Sequence, residues 1–172
     1  IYLDTDERRR FAQVSHEYLI EQVQEQSLSG TTAGSEELNF NHPVKELIWT
    51  NDDTGASSGA NGTLGDIGGT TYQLKLNGHD RFAARNKAYF TRVQVWENHS
   101  GCGGLNSHGT AGNTGQMNDS IGVYSFALKP EEHQPSGTCN FSRIDNAKLD
   151  TNAALTAADN IFAVNYNVLR IM

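Results

Sequence analysis

Runs in which every second residue is apolar recur along the whole chain, and each is short. The clearest is Thr71–Leu76, where Tyr72, Leu74 and Leu76 alternate with Thr71, Gln73 and Lys75. Period-2 patterning puts one face of a strand into a core and leaves the other wet. Eight segments read as strands on this ground: 17–26, 37–41, 44–50, Thr71–Leu76, 88–96, 121–128, 138–149 and 160–171. Helix signals are few. Asp4 with Glu7 three residues later resembles a capping box, and it predicts a short helix over 6–14 with Phe11 and Val14 on one face. A turn or two of helix is also expected within 81–87 and within the Ala-rich 153–159.

The links constrain the fold further. The connections 27–36, 51–70, 97–120 and 150–159 are long and rich in Gly, Ser, Thr, Asn or Ala. Between them, 42–43 and 129–137 are tighter. In a jelly roll of eight antiparallel strands, successive connections alternate between the two ends. One end is therefore elaborated and the other kept short. Connections longer than about 12–15 residues are usually functional or disordered, and 51–70 and 97–120 qualify. They are expected to lie together at one end. At the other end, the corner 129–137 is bounded by Pro130 and Pro135, which restrict φ and lower the entropy lost on ordering.

Composition narrows the function classes. The 172 residues fit one domain. Hydrophobic residues make up only 37% and there are 17 glycines, which favours a loop-rich β protein over a helical bundle. A net charge of −7 opposes phosphate, so direct contact with nucleic acid is not expected. The one basic cluster, Arg8-Arg9-Arg10, follows Asp4, Asp6 and Glu7 and reads as a solvated helix turn. No apolar run approaches the ~18 residues of a membrane span. The chain starts at Ile1, inside a strand-like Ile1-Tyr2-Leu3, and ends within a pattern at Met172, so a piece of a longer protein is expected.

Chemistry-bearing motifs are weak. His99, Cys102 and His108 share a loop, but a structural zinc site wants four ligands at defined spacing. Cys139, His133 and Asp145 form a triad only on paper, because nothing in their spacing sets a base beside the thiol. Gly101, Gly103, Gly104 and Gly109 precede no helix pattern and make no phosphate cradle. Asn77-Gly78 is a tight-turn signal. The expectation is no catalysis, no cofactor and no metal. Sequons occur at Asn61, Asn98, Asn118 and Asn140. The first three fall in long loops and are candidate glycosylation sites, whereas Asn140 falls in a strand.

Five blocks resemble a known family: IYLDTDERRRFAQVSHEYLIEQVQ, LNFNHPVKELIW, LKLNGHDRFAARNKAYF, YSFALKPEEHQPSGTCNFSRIDNAKL and NYNVLRIM. They are similar, in order, to the second jelly roll of the major capsid proteins of large eukaryotic double-stranded DNA viruses (nucleocytoplasmic large DNA viruses). The resemblance lapses over 51–70 and 97–120. It implies an all-β, eight-stranded antiparallel jelly-roll sandwich with a short N-terminal helix, the C-terminal domain (1–172) of a double jelly roll. It also implies a first jelly roll before Ile1 and a small glycine-rich segment after Met172. The implied function is structural: a virion protein that trimerises into pseudo-hexagonal capsomers of an icosahedral shell, with the long loops facing outward. The implied partners are two further copies, neighbouring capsomers and minor capsid proteins, with an internal viral membrane nearby. Within the corner and the strand after it, Glu131, Glu132 and Arg143 are the candidate assembly contacts, charged groups that fix register without a large apolar patch. Two rival readings use the same fold. A carbohydrate-binding module would want aromatic platforms in its loops, where Trp96 stands alone. A cupin-like enzyme would want a converging metal set, which His42 and His79 do not supply.

Overall fold

The computed structural model describes residues 2–28, 34–51, 67, 69–101, 119, 121–153 and 159–171. Two five-stranded antiparallel sheets hold the described strands. Sheet A has the order β1 (His16–Ser27), β10 (Asp159–Ile171), β3 (Pro43–Asn51), β7 (Ile121–Ser125), with β8 (Cys139–Asn140) also on β3. Sheet B has the order β2 (Ser35–Glu37), β9 (Ala147–Thr151), β4 (Thr71–Leu76), β5 (His79–Asp80), with β6 (Arg85–Asn86) also on β4. Thus the first, eighth, third and sixth sequence runs share one sheet, and the second, seventh and fourth share the other. That is jelly-roll topology, although the count of eight strands is not matched one for one.

The helix α1 (Thr5–Gln13) carries the predicted capping box: Thr5 N donates to Asp4 Oδ1 at 2.7 Å and Asp4 N donates to Glu7 Oε2 at 3.3 Å. The Asn77-Gly78 turn also holds, with φ of 52° and 79° at its two residues.

Five expectations need correction. The run 88–96 is not a strand. It forms a π-helical turn (Tyr89–Val93) followed by α2 (Gln94–Asn98). Its buried residues, Phe90, Thr91 and Gln94, are spaced for a helix face, and Ala88 N donates to Asn86 Oδ1 at 2.9 Å where the winding starts. Patterning through Phe90, Val93 and Val95 had suggested a strand. Its place beside β4 is taken by β5 and β6, so no helical turn forms at 81–86.

The run 37–41 pairs only at its start, in β2. Beyond it, Gln26 Nε2 donates to Glu37 O (2.6 Å) and Gln26 Oε1 accepts from Asn39 N (2.8 Å). Gln24 does the same at Asn41, with Nε2 to O at 2.7 Å and N to Oε1 at 3.0 Å. Two side-chain amides thus replace a neighbouring strand for this segment.

The run 138–149 breaks into β8, a 3-10 turn (Phe141–Arg143) and β9, because the chain leaves sheet A for sheet B between them. The run 121–128 stops pairing at Ser125, where Phe126 N and Ala127 N both turn to Lys45 O. The helix expected over 153–159 falls mostly outside the described residues, and Asp159 already belongs to β10.

The core fills the space between the sheets. Trp49, Tyr72, Phe90 and Leu74 meet at its centre, and Trp49 lies 5.3–5.4 Å from the rings of Phe90 and Tyr72. The two long loops share a root, since Ile67 N donates to Asp119 O at 2.9 Å.

Candidate assembly surfaces

A second layer lies on the outer face of sheet A. Alternation along β3 turns Leu47 and Trp49 inward and Glu46 and Ile48 outward, and a bulge at Val164/Asn165 inserts Lys45 beside them. Lys45 is 3% exposed. Its Nζ reaches across β10, 5.6 Å from the Tyr166 ring centroid, to Glu21 Oε2 on β1 at 2.9 Å. The Lys45 ammonium holds the Glu21 carboxyl below the usual carboxylate range.

The corner folds back over this layer. Pro130 is fully buried, and Lys129 N donates to Ser136 Oγ at 2.9 Å, closing the loop at its neck. From the loop, His133 Nδ1 lies 3.3 Å from Glu21 Oε1. Glu131 Oε1 accepts from Ser100 N at 2.9 Å, just past the end of α2, and lies 3.3 Å from His99 Nδ1. The other ring nitrogen, His99 Nε2, lies 2.9 Å from Glu46 Oε2. Burial pushes the Glu46 carboxyl up, and the imidazole opposes this. Through Ser100, His99 and Glu21 the corner is tied to α2, β3 and β1 of its own chain.

The three candidate contacts therefore differ. Glu131 is half exposed and already engaged by Ser100 and His99. Glu132 pairs with Lys129 at 3.1 Å, and both side chains are exposed. Arg143 sits exposed on the 3-10 turn and makes no ion pair among the described residues. Of the candidate glycan sites, Asn61 and Asn118 lie outside the described residues. Asn98 ends α2, half-buried, with Nδ2 donating to Gln94 O at 2.9 Å. Sequence reading missed Glu21, Lys45, Glu46 and His99. The usable signal was Lys45-Glu46, two charges inside an otherwise apolar run.

Beyond Glu21 the sheet outgrows its cover. β10 pairs with β3 only as far as Asn165, so residues 16–21 and 166–171 continue as a two-stranded ribbon. Tyr18 faces Leu169, and Leu19 faces Val168. All four are more than 40% exposed, and Ile171 is exposed beside them. Phe11 of α1 stacks on His16 at the ribbon's tip (4.6 Å) and is itself exposed. Tyr18, Leu169 and Ile171 share one face with Phe11, and Leu19 and Val168 share the other; exposed apolar groups on both faces of a ribbon mark a contact site.

Among the described residues little else invites a ligand. A hollow of about 570 Å³ on sheet B is lined by Ser35, Lys75, Asn77, Gly78, Asn146, Lys148 and Asp150, with no aromatic ring for a sugar to stack on. Among the described residues, no three His, Cys, Asp or Glu side chains gather to hold a metal. His133 is turned to Glu21, and burial pushes the Cys139 thiol up, which disfavours a nucleophilic thiolate. No described helix is long and apolar enough to cross a membrane.

Comparison with known proteins agrees with this picture. Residues 7–172 match the family described as large eukaryotic DNA virus major capsid protein. The major capsid protein of Pyramimonas orientalis virus is 51% identical over 187 residues, covering 100% of this chain and 45% of that protein. That of Paramecium bursaria Chlorella virus 1 is 41% identical, covering 100% and 50%. The chain spans about half the length of these curated relatives. Among solved structures, the PBCV-1 virus capsid superposes with a TM-score of 0.73 at 34% identity, over 99% of this chain and 53% of that one. The Faustovirus major capsid protein shares the fold, with a TM-score of 0.59 at 13% identity over 99% and 36%. A jelly-roll sandwich with an uncovered apolar ribbon, matched along its length by viral shell proteins, belongs to the family of major capsid proteins of large eukaryotic DNA viruses.

Proposed function

We propose that this chain builds a virion shell, as the second jelly roll of a double jelly-roll subunit that trimerises into capsomers, and that it catalyses nothing. The observation that carries this reading is the ribbon 16–21/166–171. Its exposed Tyr18, Leu19, Val168 and Leu169 are costly in water and fit a rigid neighbour, either a first jelly roll or a second copy. The long loops, rooted together at Ile67 and Asp119, then face outward and offer Asn61 and Asn118 to glycosylation, whereas Asn98 is held at the end of α2 with its Nδ2 engaged. Minor capsid proteins, and an internal membrane if one is present, lie beneath the shell.

Within the corner, Glu132 and Arg143 are the better candidates for contacts between subunits, since Glu131 is occupied within the chain. The test uses the full-length protein with Glu132→Lys and Arg143→Glu, separately and together. Circular dichroism and melting should stay at wild-type level, while trimer yield by native mass spectrometry and particle yield by electron microscopy fall. Wild-type particle yield in the double variant would limit the corner to closing the sandwich. A full-length protein that stays monomeric at assembly concentrations would overturn the shell reading itself.

A further inference from the structure

We propose that His99 is a proton-operated latch: its imidazolium, set between Glu46 and Glu131, seats the end of α2 and the 129–137 corner on the outer face of sheet A, and loss of its proton unseats them. The three groups come from separate elements, β3, the C-cap of α2 and the corner. His99 Nε2 and Glu46 Oε2 are buried and 2.9 Å apart, yet neither has a hydrogen-bond partner among the described residues. At that distance a shared proton is what draws the two together, and an imidazolium would bind both carboxylates by charge.

Among the described residues, Lys45 is the other cation that acts on Glu46, and its contact is spent elsewhere. On β3, Lys45 is committed to Glu21 of β1, and His133 faces the same Glu21. In the corner, Lys129 is paired with Glu132. On α2, Glu97 adds a further negative charge beside Gln94, which also takes the Tyr89 hydroxyl as a partner. Ser125 of β7 is uncharged, and its N–H donates to Gln94 Oε1 at 3.2 Å. Among the described residues, the ion pairs of Glu46 and of Glu131 are both with His99.

Deprotonation thus leaves a buried carboxylate facing a neutral ring, with a second carboxylate behind it. Such an arrangement is strongly unfavourable. Burial already pushes the Glu46 carboxyl up, so the seated cluster holds a proton more tightly than the separated groups do. A state that holds a proton more tightly is favoured at low pH and lost as pH rises. The amides that report unseating are His99 N on Val95 O, Ser100 N on Glu131 and Ser125 N on Gln94. The latch is a property of the fold and does not depend on the shell reading.

The test is hydrogen exchange with mass spectrometry on the full-length protein, at about pH 6 and about pH 8.5, corrected for intrinsic exchange rates. Peptides over 94–101 and 121–128 should lose protection about ten-fold at the higher pH, while a β4 peptide stays constant. His99→Gln should show the low protection at both values. Glu46→Gln, which removes the buried charge but keeps the shape, should shrink the step below about two-fold. Equal wild-type protection at both pH values, or a step that survives in His99→Gln, would overturn the latch. If His99→Gln does not fold, Glu46→Gln decides alone, and an undiminished step there overturns the proposal.

Discussion

Gly122 stands directly across the β3–β7 ladder from Trp49, and the indole lies over the place where a Cβ would be. A methyl group there would come within 2.3 Å of Trp49 Cε2. Trp49 has no room to retreat, because Tyr72 and Phe90 pack on its other sides. The small residue is thus what lets β7 close on the largest side chain of the core.

Gly122→Ala should accordingly destabilise the fold by overpacking, by about 1–3 kcal/mol. That is a drop of several degrees in melting temperature, since each kcal/mol shifts a domain of this size by roughly 2–4 °C. An unchanged melting point in Gly122→Ala would mean that the indole can swing aside.

Gln24 and Gln26 act as a short substitute strand for residues 37–41. Leucine at either position keeps the volume but orphans a backbone N–H and a backbone C=O. Because Asn39 and Asn41 are exposed and water can take the freed groups, each substitution should cost about 1 kcal/mol and raise exchange of the Asn39 and Asn41 amides before global unfolding. Glutamate should cost less than leucine, because it still accepts from the N–H and loses only the donor. Equal exchange at Asn39 and Asn41 in wild type and both leucine variants would sink this account.

These amides show where sequence reading stopped. Seven of the eight predicted runs contain strand, because alternation reports burial on one face, and burial in a sandwich needs nothing else. The run 88–96 misled because a few apolar residues in a short window fit a period of two and a helix face alike, and here 79–86 had taken the place beside β4. Pairing in 37–41 was invisible because glutamine amides at period 2 look like an ordinary wet face. The corner's prolines and charges were legible, but its partners were not. Glu21 and His133 are separated by 112 residues, and no local pattern encodes that contact.

The pair Lys45–Glu21 predicts an asymmetry. Lys45 is buried, whereas the Glu21 side chain is a third exposed. Glu21→Gln strands a buried ammonium and should cost about 2–3 kcal/mol, but Lys45→Met leaves a carboxylate that water can reach and should cost about 1 kcal/mol or less. Because Lys45 lowers the Glu21 titration, the pair's contribution is full above the ordinary carboxylate range and fades as pH falls through the lowered value. The stability gap between wild type and Glu21→Gln in urea should therefore narrow from about pH 6 to about pH 3. A gap that widens on acidification would reverse the assignment.

The ribbon gives the last prediction. Val168 and Leu169 lie side by side on β10 but point to opposite faces, and both faces are uncovered among the described residues. Neither touches the core between the sheets. Lysine at both positions should leave the sandwich's melting within about 0.5 kcal/mol of wild type, as for surface changes away from packed contacts. The same change should make the 172-residue chain more soluble on its own, because it breaks an apolar patch. In the full-length protein the two lysines would have to be desolvated against whatever covers the ribbon, so trimer and particle yields should fall sharply. Solubility and assembly thus move in opposite directions if the ribbon is an interface. Were the doubly substituted full-length protein to assemble as well as wild type, the ribbon would be a free surface, and the contact that holds this jelly roll in its subunit would have to lie elsewhere on the sandwich.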